Sequence, residues 1–188
     1  TVAFTRMLAG PIDFTPGIFN ITLEPYKEDN QVNTTIAKQL ALYVVIYSPL
    51  QMAADLIDHY RGNPAFQFIR DVAVDWEENH VLNGEVGDYV TIARKEREGD
   101  RWFLGSISDE NPREFTFTLD FLDPRQKYVA NIYRDADEAH YRTNPTAITL
   151  ETKLVDAETD LDVKLAPGGG YAAELVPVSA EEAEKYMD

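Results

Sequence analysis

The feature that most constrains this chain is a change of period. From Asn33 to about residue 60 its apolar residues recur at spacings of three and four; beyond Arg61-Gly62-Asn63-Pro64 they alternate with polar ones. A period near 3.6 builds a helix with one buried face, and a period of two builds strands with one buried face. A chain that uses the two in separate blocks predicts a first part, residues 1–69, in which strand-like runs precede a helix, followed by a β domain, residues 70–188, with the boundary at residues 61 to 70.

Before the switch, Gly10-Pro11 and Pro16-Gly17 punctuate two strand-like runs, Val2 to Ala9 and Ile18 to Leu23. Asn33 is placed to cap a helix whose apolar positions are Ile36, Ala37, Leu40, Ala41, Val44 and Val45. Pro49 lacks an amide hydrogen and disfavours helical geometry at Ser48, so the helix should stop or kink there. A second apolar stretch, Leu50 to Leu56, then suggests a helical hairpin or kinked helix. About 60 residues cannot bury so apolar a helix by themselves. The segment therefore predicts missing neighbours, with Leu40, Leu42, Val44 and Val45 driving association.

After the switch the candidate strands are Val72 to Trp76, His80 to Asn83, Tyr89 to Lys95, Trp102 to Ser108, Arg113 to Asp120, Lys127 to Arg134, Ala147 to Leu154, Leu161 to Leu165 and Gly170 to Pro177. Asn83-Gly84, Glu98-Gly99-Asp100, Glu110-Asn111-Pro112, Asp123-Pro124, Asn144-Pro145 and Pro167-Gly168-Gly169 separate them as turns. This spacing predicts an antiparallel β-sandwich. Ser179 to Asp188, charged and weakly amphipathic, is expected to fray.

Composition narrows the function. With 17 Lys+Arg against 33 Asp+Glu the net charge is −16, so phosphate backbones and anionic lipid surfaces repel the chain, and neither nucleic acid nor membrane is an expected partner. The absence of cysteine excludes disulfides, thiolate nucleophiles and thiolate metal sites. No apolar run reaches the roughly 18 residues of a membrane span. The opening Thr-Val-Ala-Phe-Thr-Arg reads as the middle of an element, which suggests a piece of a longer protein.

Few residues carry chemistry. His59, His80 and His140 are far apart and form no HExxH or His-x-His pair, so they read as surface or packing histidines. The acidic runs Asp135 to Glu138 and Asp156 to Asp162 lack the Gly and the bidentate Glu of a calcium loop. Gly168-Gly169-Gly170 has no Lys-Ser/Thr and no following helix, so it reads as a turn and not a phosphate loop. The sequons at Asn20 and Asn33 match glycan acceptors by pattern alone. Arg6 and Asp13 bracket Gly10-Pro11 at the end of a strand-like run, where a barrel enzyme builds its site; the plainer reading is an ion pair between them, or Asp13 satisfying loop amides. Trp76, Trp102, Tyr133, Tyr141 and Tyr171 could stack on sugar rings if exposed, but at alternating positions they read first as core.

Several long strings carry a resemblance. They are Phe4 to Gly17, Thr34 to Val44, Tyr47 to Leu56, Pro64 to Ile69, Asn83 to Arg94, Trp102 to Ile107 and Leu165 to Gly170. Over essentially the whole chain up to residue 177 these resemble the end of glycoside hydrolase family 97, bacterial α-glucosidases and α-galactosidases. The resemblance implies an α+β fragment: the last strand and helices of a (β/α)8 catalytic barrel, then a C-terminal antiparallel β-sandwich. It also implies that the family's catalytic carboxylates, its calcium-binding glutamates and a Pro-Pro-Glu-His string precede Thr1. No catalytic residue, metal ligand or cofactor then falls on this chain, and the isolated chain should be inactive. Arg6 and Asp13 are the substrate-lining candidates. The expected partners are the N-terminal part of the enzyme and, for the whole enzyme, an oligosaccharide substrate. The expected location is the periplasm or outer membrane surface. The alternative is a carbohydrate-binding or purely structural β-sandwich module.

Overall fold

Eight strands occupy the period-two part of the chain in the computed structural model, which describes residues 1–27 and 29–186. They are β1 (Trp76–Glu85), β2 (Tyr89–Glu96), β3 (Trp102–Ser108), β4 (Arg113–Thr118), β5 (Lys127–Asp135), β6 (Ile148–Val155), β7 (Asp160–Leu165) and β8 (Gly170–Val178). Six form one antiparallel sheet in the order β1-β2-β3-β8-β5-β6, and β4 pairs with β7 in a second, two-stranded sheet. The expected sandwich is present, with one broad layer and one narrow one.

Seven of the expected strands fall within a few residues of the observed ones. The remaining two, Val72 to Trp76 and His80 to Asn83, are replaced by the single strand β1, which runs through Asn83-Gly84 and reverses at Val86 to Asp88. Asn-Gly is a strong hairpin signal, yet here Gly84 pairs with Val90 across the ladder, and the left-handed position of the turn is Gly87, at φ 97°.

The narrow sheet packs on one face of the broad sheet. Phe115, Phe117, Leu161, Val163 and Leu165 from β4 and β7 meet Trp102, Leu104, Tyr128, Ala130, Ile132, Tyr171, Ala173 and Leu175 from the broad sheet. The opposite face is covered by α1 (Ile36–Val45), α3 (Phe66–Asp71) and their connecting loops. Ile36, Leu40, Ala41, Tyr43, Val44 and Phe68 pack there with Phe103, Tyr133 and Ala172. The central strands β3 and β8 are thus buried on both faces, which is why each reads as a nearly unbroken apolar run.

This covering layer corrects the expectation of an unpartnered helix. Leu40 and Val44 are wholly buried and Val45 nearly so, against the sheet built by residues downstream. Leu42, on the flank of α1, is half-buried beside Val45, Ile46 and Val90. The fit is backbone-close: a side chain at Gly105 of β3 would meet the Ala41 carbonyl at 2.7 Å. Residues 61 to 70 mark a change of period but do not separate two hydrophobic cores, since one apolar cluster draws on both sides of them.

Other local expectations give way for local reasons. Val2 to Ala9 forms two 3₁₀ turns, Val2–Phe4 and Arg6–Ala9, and not a strand. Among the described residues no strand neighbours it, and the amides bond three residues back: Phe4 to Thr1, Leu8 to Thr5 and Gly10 to Met7. Ile18 to Leu23 is loop and turn because its amides are taken by side chains, as described below. Leu50 to Leu56 is extended or bent, and helix resumes only in α2 (Ile57–Tyr60). Thr35, not Asn33, caps α1, its hydroxyl accepting from the Lys38 amide at 3.2 Å. The expected tail includes a helical turn, α4 (Ala180–Ala183), closed by reciprocal Ser179 and Glu182 bonds with Ala183 buried; residues 187 and 188 lie outside the described residues.

Candidate functional site: a side-chain clamp on residues 16 to 20

The covering layer is tied down by side chains that bond to backbone. The loop from Pro16 to Asn20 has no strand to pair with, so its polar groups must find other partners. Gln39 on α1 accepts from the amides of Gly17 at 2.9 Å and Ile18 at 3.2 Å, and its own amide donates to Thr34 Oγ1 at 3.1 Å. The Asp55 carboxylate accepts from the amides of Phe19 at 2.8 Å, Asn20 at 2.7 Å and Leu56 at 2.8 Å. His59 Nδ1 closes on the same carboxylate. Burial alone would raise the Asp55 pKa, but the three amides and His59 outweigh it and hold the carboxyl below its ordinary value.

Two tyrosines complete the clamp. Tyr60 donates to the Gly17 carbonyl and accepts from the Asp55 amide, both at 2.8 Å. The Tyr43 hydroxyl lies 3.1 Å from the Pro16 carbonyl and 3.2 Å from that of Met52, and donates its single proton to one of them at a time. Burial raises both phenol pKa values, so both stay neutral donors. Gly17 is required here: its φ is +90°, and a Cβ would sit 2.5 Å from the Tyr43 oxygen.

A second polar knot joins the start of α1 to the broad sheet. Lys38 donates to the Ser108 carbonyl at 2.6 Å, and the buried Asp135 accepts from the amides of Ala166 at 3.0 Å and Gly170 at 2.8 Å. Burial dominates for both groups. It lowers the Lys38 pKa against the pull of Asp135, Asp109 and Glu110, and it raises the Asp135 pKa against Thr35, the two amides and Lys38. The Gly168-Gly169-Gly170 turn wraps this knot. A Cβ on Gly169 would fall 1.9 Å from Asp135 Oδ2, and one on Gly170 would fall 2.3 Å from Lys38 Cα.

A third knot holds the end of α3. Arg101 donates to Glu174 at 2.7 Å, to Glu96 at 2.7 Å and to the Asp71 carbonyl at 3.1 Å. Nearby, Arg94 is buried between the rings of Tyr47 and Trp76, 5.8 Å from each centroid, and bonds to Asn79. Burial lowers its pKa to about 10.

Neither substrate-lining candidate joins these networks. Both are exposed. Arg6 donates to the carbonyls of Gly10 at 3.1 Å and Pro11 at 3.3 Å, closing the turn at Gly10, and the expected Arg6 to Asp13 ion pair is not among those described. The histidines occupy packing positions: His59 on Asp55, His80 between Trp102 and Phe121, and His140 stacked on Tyr141. Among the described residues no three His, Asp or Glu side chains gather closely enough to hold a metal, and no helix is long and apolar enough to cross a membrane. Of the five aromatics that could form a sugar platform, Trp76, Trp102, Tyr133 and Tyr171 are buried; Tyr141 is half-buried under the Arg142 guanidinium. The polar groups at the seam thus hold backbone in place.

Comparison with known proteins assigns this arrangement. Residues 75–176 match the family described as glycosyl-hydrolase 97 C-terminal, oligomerisation. The chain belongs to that family. A retaining α-galactosidase of Bacteroides thetaiotaomicron is 32% identical over 179 residues, covering 93% of this chain and 26% of the relative. A probable retaining α-galactosidase of Streptomyces bingchenggensis is 32% identical over 176 residues, 92% of this chain and 25% of the relative. Among solved structures, a glycoside hydrolase family 97 enzyme in complex with acarbose from Pseudoalteromonas sp. strain K8 superposes with a TM-score of 0.89 and 48% identity, over 95% of this chain and 28% of that one. A β-arabinopyranosidase shares the fold alone, with a TM-score of 0.73 at 22% identity. The chain spans about a quarter of the length of the curated relatives it matches.

Proposed function

We propose that this chain is the C-terminal portion of a family 97 α-glycoside hydrolase, an α-galactosidase or α-glucosidase, and that its own task is to support the catalytic part and bring copies together. The observation that carries the proposal is the superposition over 95% of the chain on a family 97 enzyme of which it covers 28%. The names of the curated relatives favour an α-galactoside cleaved with retention. Retention needs an acid and a nucleophile about 5 to 5.5 Å apart on a rigid frame, and the buried carboxylates here are instead engaged by backbone amides or guanidinium groups.

In this reading residues 1–69 are the end of the (β/α)8 barrel and residues 70–188 the β domain. Two observations support it. Phe14 makes a parallel bridge to Gln51, the kind of pairing a barrel strand uses. Exposed large apolar side chains also concentrate in the first segment, at Val2, Leu8, Leu50, Met52, Leu56 and Ile57, where a larger catalytic part would cover them. Arg6 and Asp13, on the same segment, would border the sugar site. The family's calcium would be held by residues outside this chain, and its periplasmic or outer-membrane placement remains part of the proposal.

The test is enzymatic. The chain alone is expected to leave p-nitrophenyl α-galactoside and α-glucoside intact, while a longer polypeptide that includes the upstream coding sequence cleaves one of them. Turnover by the chain alone would overturn the proposal, as would a longer polypeptide active on neither. The alternative of a separate sugar-binding module predicts that maltooligosaccharides or galactosides change the tryptophan fluorescence, and the burial of Trp76 and Trp102 argues against it.

A further inference from the structure

The broad sheet ends on two edges, β1 and β6, and they differ in what they offer a further strand. β1 is interrupted between Trp76 and Glu78 and again between Val81 and Asn83, and it carries Glu77, Glu78 and Glu85. Bulges and like charges both discourage edge pairing. β6 has neither. Its eight residues pair with β5 in unbroken register from Val155 to Ile148, include no proline or glycine, and carry one glutamate and one lysine. No other described element bonds to its outer side, and Leu150 and Thr152 are exposed.

The centre of β6 is self-complementary. Leu150-Glu151-Thr152-Lys153-Leu154 reads with opposite charges in mirror positions about Thr152. Laid antiparallel against a second copy with the two-fold axis at Thr152, Glu151 stands opposite Lys153 of the other copy, twice. Leu150 likewise stands opposite Leu154, twice, and threonine faces threonine. Cross-strand pairs of these kinds are individually favourable, whereas an axis at Glu151 or Lys153 would place like charges face to face. Of the three registers centred on Glu151, Thr152 and Lys153, charge therefore favours the one at Thr152. On a chain of net charge −16, which repels its own copies at long range, an edge whose charges cancel is where two copies can approach.

We propose that two copies of this chain pair β6 to β6 about Thr152, joining their broad sheets into one continuous sheet. This rests on the reading of the chain as an oligomerisation domain and names the surface. Sedimentation equilibrium on the chain and three variants tests it, with far-UV circular dichroism as the check on folding. The chain is expected to dimerise. K153E, which sets glutamate against glutamate twice, is expected to raise the dimer Kd at least tenfold. E151K/K153E restores opposite charges across the axis, though it also removes the bond from Arg134 to Glu151 at 2.7 Å, and is expected to bring the Kd back below that of K153E by at least threefold. V81K on the opposite edge is expected to leave it unchanged. A Kd indifferent to K153E, or one raised as much by V81K, would overturn the β6 pairing and leave the oligomerisation reading standing. A chain that stays monomeric at every concentration would overturn both.

Discussion

Across residues 76–178 the backbone pairs with itself, strand against strand, whereas across residues 1–75 much of it pairs with side chains: Gln39, Tyr43, Asp55 and Tyr60 for the loop at 16 to 20, and Arg101 at the end of α3. The ladder needs only alternating side chains and tolerates many sequences. The clamp needs four particular side chains, brought together from positions up to 43 residues from the groups they hold. Two kinds of order therefore meet at one apolar seam. The seam and the clamp should respond differently to substitution.

The largest effect is expected at the seam. Leu40→Ala removes a wholly buried side chain between α1 and the sheet and is expected to cost about 3 kcal/mol, read as a shift of the whole unfolding transition in urea. If only part of the signal shifts, the two regions do not unfold together. Gly170→Ala comes next: the added methyl meets Lys38 backbone at 2.3 Å, and a loss of about 2 kcal/mol is expected in the same experiment.

Asp55→Asn tests the clamp. An amide can still accept, but the charge that favours three backbone donors and His59 is gone, for an expected loss of about 1.5 kcal/mol at pH 7. Limited proteolysis should then cut near residues 16 to 20 first. The pH dependence sharpens the comparison further. Asp55 has a lowered folded pKa, so its contribution is present above its ordinary value of 3.8 and fades as pH falls through the folded value. Asp135 has a raised one, so its contribution is full below 3.8 and is lost as pH rises through the folded value. Stability measured against pH should therefore separate D55N from the parent chain mainly above pH 4. D135N should gain on the parent as pH rises. Parallel profiles would contradict the opposite environments assigned to these two carboxylates.

The ladder was largely legible in the sequence, since alternation names β4 and β7, and turn residues bound the apolar run Trp102 to Ser108, which matches residue for residue. Even the exceptions there are local: β1 swallows an Asn-Gly pair because the strand continues past it to Glu85 and turns at Gly87. The covering layer was not legible. Periodicity showed that α1 has a greasy face but not that residues 102–175 would bury it, because that contact joins segments some 60 to 130 residues apart. The helix looked orphaned when its cover lay downstream. Asp55, Gln39 and Tyr60 carry no motif, since a side chain that bonds to a loop backbone leaves no spacing rule behind. Gly168-Gly169-Gly170 was visible as a turn, but the reason for two of its glycines, Asp135 and Lys38 in the space a Cβ would fill, belongs to the fold.

That α1 and the sheet form one body is the claim on which the rest depends, and native-state hydrogen exchange tests it most directly. The amides of Ala41 to Val45 in α1 and those of the central strands β3 and β8 are expected to open with the same free energy, that of global unfolding. Exchange through α1 at a much lower free energy, with β3 and β8 still protected, would show the covering layer to be a separate and weakly held piece.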